Sequence, residues 1–324
     1  MNPKVDRGLD SRETAEMTIE QMAIEQMAIE QTADAQRFVH VPVLHREVVE
    51  QLQVKPGGTY LDLTLGGGGH SRLILEAAID VTLVAVDQDE MAIAAATEHL
   101  KGFESQVTIH RSNFAKFDPK KQKFDGILAD LGVSSAQFDI AERGFSFRAE
   151  APLDMRMDQR QVLDAAQIVN TWDEKELADI FYKYGEERLS RKIARQMVDR
   201  RPFKTTTDLA YMIAGCFPPK ARHGRIHPAT RVFQALRIAV NQELDVLETL
   251  SDRAPTWLNP GGRIAIITFH SLEDRIVKHR LREFEGLRVL TKKPIVPQDD
   301  EVDLNPRSRS AKLRVAEWLE PELE

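Results

Sequence analysis

Cysteine is almost missing from this sequence: Cys216 is the single one in 324 residues. A disulfide scaffold is therefore excluded, and a lone thiol fits a reducing compartment. No run of 18 apolar residues occurs, so no membrane-spanning helix is expected. The N-terminus has no basic segment followed by an apolar stretch, so no secretory signal is expected, and the cytoplasm is the expected location. No cluster has the ligand spacing of a structural zinc site, and no metal dependence is expected. Neither sign of charge dominates: 51 acidic and 44 basic residues give a formal charge of −7. As a bare sum, that argues against a polyanionic partner. What remains is a globular composition, 42% hydrophobic and 29% charged, long enough for one elaborated domain or two ordinary ones.

The sum hides an uneven distribution. Residues 1–36 carry 8 acids and 3 bases. They repeat Glu-Gln-Met-Ala-Ile from Glu20 and again from Glu25, a period that matches neither helix nor strand. Residues 1–37 are expected to form a mobile acidic extension, with a docked partner helix as the alternative. Residues 183–237 carry 13 bases and 4 acids, a net of +9 inside an acidic chain. Such a window is the footprint of a polyanion, or else a solvated helical face.

A helix within this window arranges the bases. Thr171-Trp-Asp-Glu174 has the spacing of a capping box and predicts a helix start. Leu189, Ile193 and Met197, joined by Ala194 and Val198, form one apolar face. Arg188, Arg191, Lys192 and Arg195 then share a stripe on the other side, where like charges repel by a few tenths of a kcal/mol per pair. A phosphate backbone would offset that repulsion.

Elsewhere strands and helices alternate. Strands are expected at Thr59–Leu63, Thr82–Asp87, Val107–His110 and Asp125–Asp130, with a late fifth at Gly262–Thr268. Helices are expected at Ser71–Ala78 and Glu90–Leu100. This is the pattern of an α/β, doubly wound parallel sheet, which binds ligands at the carboxyl ends of its strands. The first strand runs into Gly66-Gly-Gly-Gly69-His70-Ser71, where backbone can approach a ligand closely and a helix N-terminus points at it. A tight turn without a ligand is the plain alternative. No Gly-Lys-Ser/Thr follows, which excludes a triphosphate-binding P-loop.

Carboxylates at the strand ends sharpen the reading. Asp87 closes the second strand about 20 residues after the glycines, where a carboxylate can hold a ribose hydroxyl pair. Asn113 and Phe114 follow the third strand and could meet a purine. Asp130 closes the fourth, and Asp62, beneath the glycine turn, could meet a positive amino group. An amino acid joined to an adenosine has all these features, as in S-adenosylmethionine. Turn and cap roles for Asn113 and Asp130 are the plain alternatives.

With these residues in view, the chain resembles the bacterial 16S rRNA (cytosine-N4)-methyltransferases, from about Phe38 to Leu319. The segments that carry the resemblance are His40–Leu44, Gly66–Ser71, Asp130–Gln137, Gly144–Phe147 and Leu153–Asp158. Further on they are His227–Arg231, Phe233–Arg237, Phe269–Arg275 and Asn305–Arg314. The resemblance implies a Rossmann-like class I S-adenosylmethionine-dependent methyltransferase core, residues 38–137 and 246–324, with an inserted helical domain at 138–245. It implies that Gly68, Gly69, His70, Asp87, Phe114, Asp130 and Gln137 contact the cofactor. The implied reaction is methylation of N4 on the decoding-region cytosine that also carries a ribose methyl. The implied partner is 16S rRNA or the small ribosomal subunit. Oligomeric state stays open, a dimer included.

A cytosine amine is a poor nucleophile, because its lone pair is delocalised into the ring. An acceptor on its N–H would help, and Asp130 is the first candidate, with Ser134 and Ser135 as neighbours. A ring-carbon methylation would need a cysteine, and Cys216 lies far in sequence from the glycine turn. His70 is read as a loop contact rather than a general base, and His270 either lines the pocket or caps the next helix. Arg188, Arg191, Lys192, Arg195, Arg231 and Arg237, with the basic segment Arg307–Arg314, are the expected RNA contacts. The competing readings are a nicotinamide dehydrogenase and a non-catalytic ribosome-assembly factor.

Overall fold

Both faces of the central sheet are apolar, and the side chains sort by strict alternation. The computed structural model of the chain describes residues 42–133, 135–222, 224 and 226–319. The expectations for the 1–37 extension and for Ser134 lie outside these residues. The strands are β1 (Thr59–Asp62), β2 (Thr82–Asp87), β3 (Val107–Arg111), β4 (Phe124–Asp130), β5 (Leu258–Thr268), β6 (Leu287–Val289) and β7 (Lys312–Trp318). Leu83, Ala85, Leu128, Ala265 and Ile267 point to one face, and Val84, Val86, Ile127, Ile264 and Ile266 to the other. Burial on both sides explains why these strands read as continuous apolar runs.

The order is β3-β2-β1-β4-β5-β7-β6. The first five strands are parallel, and β7 runs antiparallel between β5 and β6. The order turns back between β1 and β4, which is where open α/β sheets hold their ligands. On the Leu83 face lie α1 (His45–Leu52), α2 (Gly69–Ala77) and α3 (Glu90–His99). On the Val84 face lie α11 (Glu243–Arg253) and α12 (Ser271–Glu283), through Leu247, Leu250, Val277 and Leu281.

Between β4 and β5 the chain runs through α4 (Ser135–Asp139), α5 (Ala165–Thr171), α6 (Glu174–Lys183), α7 (Ser190–Arg200), α8 (Thr206–Gly215), α9 (Pro219–Arg222) and α10 (Thr230–Asn241) before α11. Apolar residues from Phe145 to Val240 form a core of their own, separate from the two faces of the sheet. Helix α10 buries Val232, Phe233, Leu236 and Val240 in it. The expected face of α7 is present, with Ile193, Ala194 and Met197 buried.

The helix start expected at Thr171 is corrected. Thr171 closes α5, and α6 opens three residues later. Asp173 is the cap: it accepts from the Glu176 N–H at 2.7 Å, while Glu176 accepts from the Asp173 N–H at 3.0 Å. Aspartate is the stronger helix cap of the two, so Asp173 rather than Thr171 takes that position. A last helix, α13 (Asp299–Leu304), precedes β7. Among the described residues no helix is long and apolar enough to cross a membrane.

Candidate active site

The parallel strands bring Asp62, Asp87 and Asp130 to one edge of the sheet, each the last residue of its strand. Asp87 organises the glycine turn. One of its oxygens accepts from the Gly66 N–H at 2.8 Å, the other from the Asp89 N–H at 2.8 Å. Each carboxylate oxygen has a second lone pair, so a hydroxyl pair can still be held there. Burial pushes Asp87 up to about 6, against the pull of those two N–H groups.

The turn is shaped by what its glycines permit. Gly68, at φ 80°, precedes α2, and a Cβ on Gly69 would lie 2.6 Å from Cγ of Pro42. Gly67 faces open space instead, where a Cβ would meet nothing within 4 Å, and a Cβ on Gly66 would meet only the Thr64 carbonyl at 3.8 Å. The result is a backbone-lined cradle at the N-terminus of a helix.

Asp62 is buried beneath this cradle. It accepts from the Ser71 hydroxyl at 2.7 Å and the Thr64 N–H at 3.0 Å. The structure thus gives Asp62 a loop-holding position, and burial raises its pKa. The Thr64 hydroxyl in turn accepts from the Asp130 N–H at 2.6 Å, tying the ends of β1 and β4 together.

Asp130 is the focus of the edge. Its Oδ1 atom is buried with no hydrogen-bond partner among the described residues. Its Oδ2 atom stands 3.7 Å from Nδ1 of His70, a buried residue in the first turn of α2. Burial pushes Asp130 up to about 6, while His70 and the Gly132 N–H pull it down. An orphaned acceptor in a buried site calls for a donor from a ligand. The donors and acceptors here fit a nucleoside bearing an amino acid and, beside it, an amine.

Phe114 lies half-buried at the tip of β3, packed against the Val84 face of the sheet. Asn113 takes the plain role: its Oδ1 accepts from the Ala115 N–H at 2.9 Å, and its amide reaches Gln88 at 3.0 Å. Gln137 is buried, with its amide donating to Asp89 at 2.9 Å. Asp89 is a residue that sequence reasoning passed over. It caps α3, and it is paired with the buried Arg143 at 2.8 Å. Arg143 also donates to the Arg156 and Met157 carbonyls, so one guanidinium joins the insertion to the strand-tip region. The only sequence signal was the Asp at a helix start, two residues beyond Asp87.

The expected RNA contacts divide. Arg188, Arg191, Lys192, Arg195 and Arg231 are exposed. Lys192 reaches the Cys216 carbonyl at 2.6 Å, Arg195 lies 3.8 Å from Glu174, and Arg231 lies 3.3 Å from the Glu186 carbonyl. Arg237 is different: its fork closes on both oxygens of Glu243 at 2.9 and 2.8 Å, inside the protein. In the C-terminal segment, Arg314 is 6% exposed and bound to Asp274 at 2.7 Å. Arg314 belongs to β7, where alternation turned it inward. It is a sheet residue rather than part of a basic arm.

A second buried carboxylate acts on Asp130 through its charge. Glu273, 2% exposed, accepts from the Phe269 N–H at 2.8 Å and the His270 N–H at 3.2 Å. Donor atoms of Glu243, His270 and Glu273 lie within 4.8 Å of one another. Arg237 already holds both oxygens of Glu243, and Nδ1 of His270 caps α12 by accepting from Glu273 N–H at 3.4 Å. Cys216 is buried at the end of α8, with its sulfur against Met212, so it packs within the insertion.

The geometry can now be set beside known proteins. Ribosomal RNA small subunit methyltransferase H from Nostoc sp. is 66% identical over 280 residues, covering 86% of this chain and 93% of that protein. The protein of the same name from Trichodesmium erythraeum is 60% identical over 280 residues, covering 86% of this chain and 99% of its own length. Among solved structures, TrmN from Thermus thermophilus aligns with a TM-score of 0.43 at 14% identity, over 85% of this chain and 48% of that one. The profile of the MraW methylase family matches residues 37–319, which takes in every strand and helix described above, and the chain belongs to that family.

Proposed function

We propose that this chain transfers a methyl group from S-adenosylmethionine to N4 of a cytosine in the decoding region of 16S rRNA, the one that also carries a ribose 2′-O-methyl. Family membership makes it an S-adenosylmethionine-dependent methyltransferase, and its relatives are named as small-subunit ribosomal RNA methyltransferases. The observation that carries the finer reading is the buried, unpartnered Oδ1 atom of Asp130.

When bound, S-adenosylmethionine supplies a methyl group on a positively charged sulfur. The Gly66–Gly69 cradle and Asp87 would hold the nucleoside and its ribose, with Phe114 alongside. The cytosine amine needs its electron density pushed toward nitrogen. Asp130, ionised, would accept a hydrogen bond from that amine at Oδ1 and take its proton as the N–C bond forms and the methyl–sulfur bond breaks, with S-adenosylhomocysteine as the leaving group. The rest of the catalysis is positioning of two reactants. A neutral Asp130 cannot accept in this way, so its ionisation near 6 sets the lower pH limit of the reaction.

The exposed bases of α7 are the proposed backbone contacts. They position the RNA without reading its sequence, and the target base must be unstacked to reach the sheet edge. Incubation with labelled S-adenosylmethionine and small-subunit RNA or particles, followed by mass spectrometry of the nucleosides, tests the reading. N4-methylated cytidine is expected. A methyl on ring carbon or ribose contradicts it.

A further inference from the structure

Helix α12 begins in an uncommon way. Its cap is His270, whose ring accepts from the Glu273 N–H while the Glu273 carboxylate returns to the His270 N–H. Helix caps are usually Ser, Thr, Asp or Asn, so a histidine here needs another reason. The carboxylate does more than close a capping box. The same oxygen, Oε2, also accepts from the Phe269 N–H at 2.8 Å. The other, Oε1, lies 3.1 Å from Nε2 of His270. Since Nδ1 is the cap acceptor, the ring proton sits on Nε2, which is buried and makes no hydrogen bond among the described residues.

The turn held in this way presses on the site. Strands β4 and β5 run in register to their ends, with Asp130 opposite Ile267 and the Leu131 N–H bonded to the Ile267 carbonyl at 3.0 Å. Phe269 follows two residues later. Its ring fills the space over Gly132, where a Cβ would lie 2.7 Å from Cε2 and 3.1 Å from Cζ. The turn after β5 is thereby seated on the turn that carries Asp130.

We propose that Glu273 is a positioning residue for methyl transfer, locking the Phe269–His270 turn onto the Asp130–Gly132 turn and fixing the charged surroundings of the Asp130 carboxylate. This rests on the assignment of Asp130 as the acceptor of the cytosine amine. The groups that face Asp130 are His70 from α2, Asp62 from β1, the Gly132 N–H and Glu273 from α12. Beyond Glu273 lie His270 and Glu243, the latter neutralised by Arg237. Glu273 and Asp62 disfavour ionisation of Asp130, and His70 and Gly132 favour it. Glu273 therefore has two effects on one carboxylate, through packing and through charge.

The test uses Glu273→Gln in the full chain and two readouts. The first is the titration of Asp130 in the ligand-free protein, followed by carbon NMR of labelled aspartate. Its midpoint is expected to fall by half a pH unit or more. The second is methyl transfer to small-subunit particles. At pH 8, kcat is expected to drop tenfold or more, with S-adenosylhomocysteine affinity within twofold of wild type and the acid limb moved to lower pH. A merely structural role would lower stability without moving the Asp130 titration. An unmoved titration together with wild-type kcat overturns the proposal. Should Glu273→Gln fail to fold, Gly132→Ala decides, because it displaces Phe269 while leaving Glu273 intact. A tenfold loss of kcat with unchanged cofactor affinity supports the proposal, and wild-type kcat overturns it. If the wild-type protein places its methyl elsewhere than N4, the functional reading fails, and the ligand-free titration still judges Glu273.

Discussion

Nε2 of His70 is held by the Val43 carbonyl at 2.8 Å, while Nδ1 of the same ring stands 3.7 Å from Oδ2 of Asp130. A carbonyl only accepts, so Nε2 carries a proton and the ring cannot turn away from Asp130 without losing that bond. Nδ1 is therefore the nitrogen that meets Asp130, and when it too is protonated the positive ring opposes the burial that raises Asp130 to about 6. Removing it, as in His70→Ala, is expected to move the acid limb of kcat upward from about 6. A pH–rate profile from 5 to 9 checks this, and an unmoved limb would remove His70 from the site's electrostatics.

The same burial has a consequence for stability. Asp130 binds its proton more tightly when folded, about 6 against 3.8 as an isolated group. The stability contributed by this protonation is complete below 3.8 and is lost as pH rises through about 6. Asp130→Asn should therefore raise the melting temperature at pH 8 and leave it unchanged near pH 3.5. The side chain keeps 23% of its exposure, so the gain is expected at about 1–2 kcal/mol, below the full linkage value. Thermal unfolding at the two pH values tests the sign.

Asp87 has a different expected signature. Asp87→Ala removes the proposed ribose acceptor and the partner of the Gly66 N–H. Losing charge-assisted hydrogen bonds of this kind costs about 1.5–3 kcal/mol, or roughly ten- to hundredfold in affinity. Calorimetry with S-adenosylhomocysteine should show that loss, with RNA affinity unchanged. Full cofactor affinity would contradict the assignment.

Arg143 and Asp89 are both buried, and each is the other's ion-pair partner. Arg143→Met leaves a buried carboxylate without its cation, which costs about 3–5 kcal/mol. Urea unfolding should register it. The double variant Arg143→Met with Asp89→Asn should recover part of the loss, and a double variant no better than the single would mean the pair is not coupled.

On the surface, Arg191→Glu with Arg195→Glu should weaken RNA binding and flatten its dependence on salt, while cofactor affinity stays as it was. Filter binding at several salt concentrations measures both. An unchanged slope would move the RNA interface away from α7.

The parallel core was legible because β1, β2, β4 and β5 are buried on both faces, so each reads as an apolar run that ends in a polar residue at the site. Thr82–Asp87 matched to the residue. Strands β6 and β7 were not legible. Leu287–Val289 is too short for a pattern, and Lys312–Trp318 alternates basic with apolar residues, so the sequence alone does not distinguish Arg314, bound to Asp274, from a surface base. The three strand-end carboxylates could be named in advance because each follows an apolar run directly. Glu273, Asp89 and Arg143 could not, because their roles depend on partners 48 or more residues away or on the meeting of two turns. A charge sum treats Arg237 as a free base, because the turn that brings Glu243 back to it leaves no mark in that sum.

The central claim is that the open oxygen of Asp130 receives the cytosine amine. Single-turnover methyl transfer by Asp130→Asn, with the product mapped as N4-methylated cytidine, tests it most directly. The expected result is a rate lower by about 10²–10⁴-fold at pH 8, with S-adenosylhomocysteine and RNA still bound near wild-type affinity. A rate within a few-fold of wild type, at the same nucleotide and the same nitrogen, would contradict it.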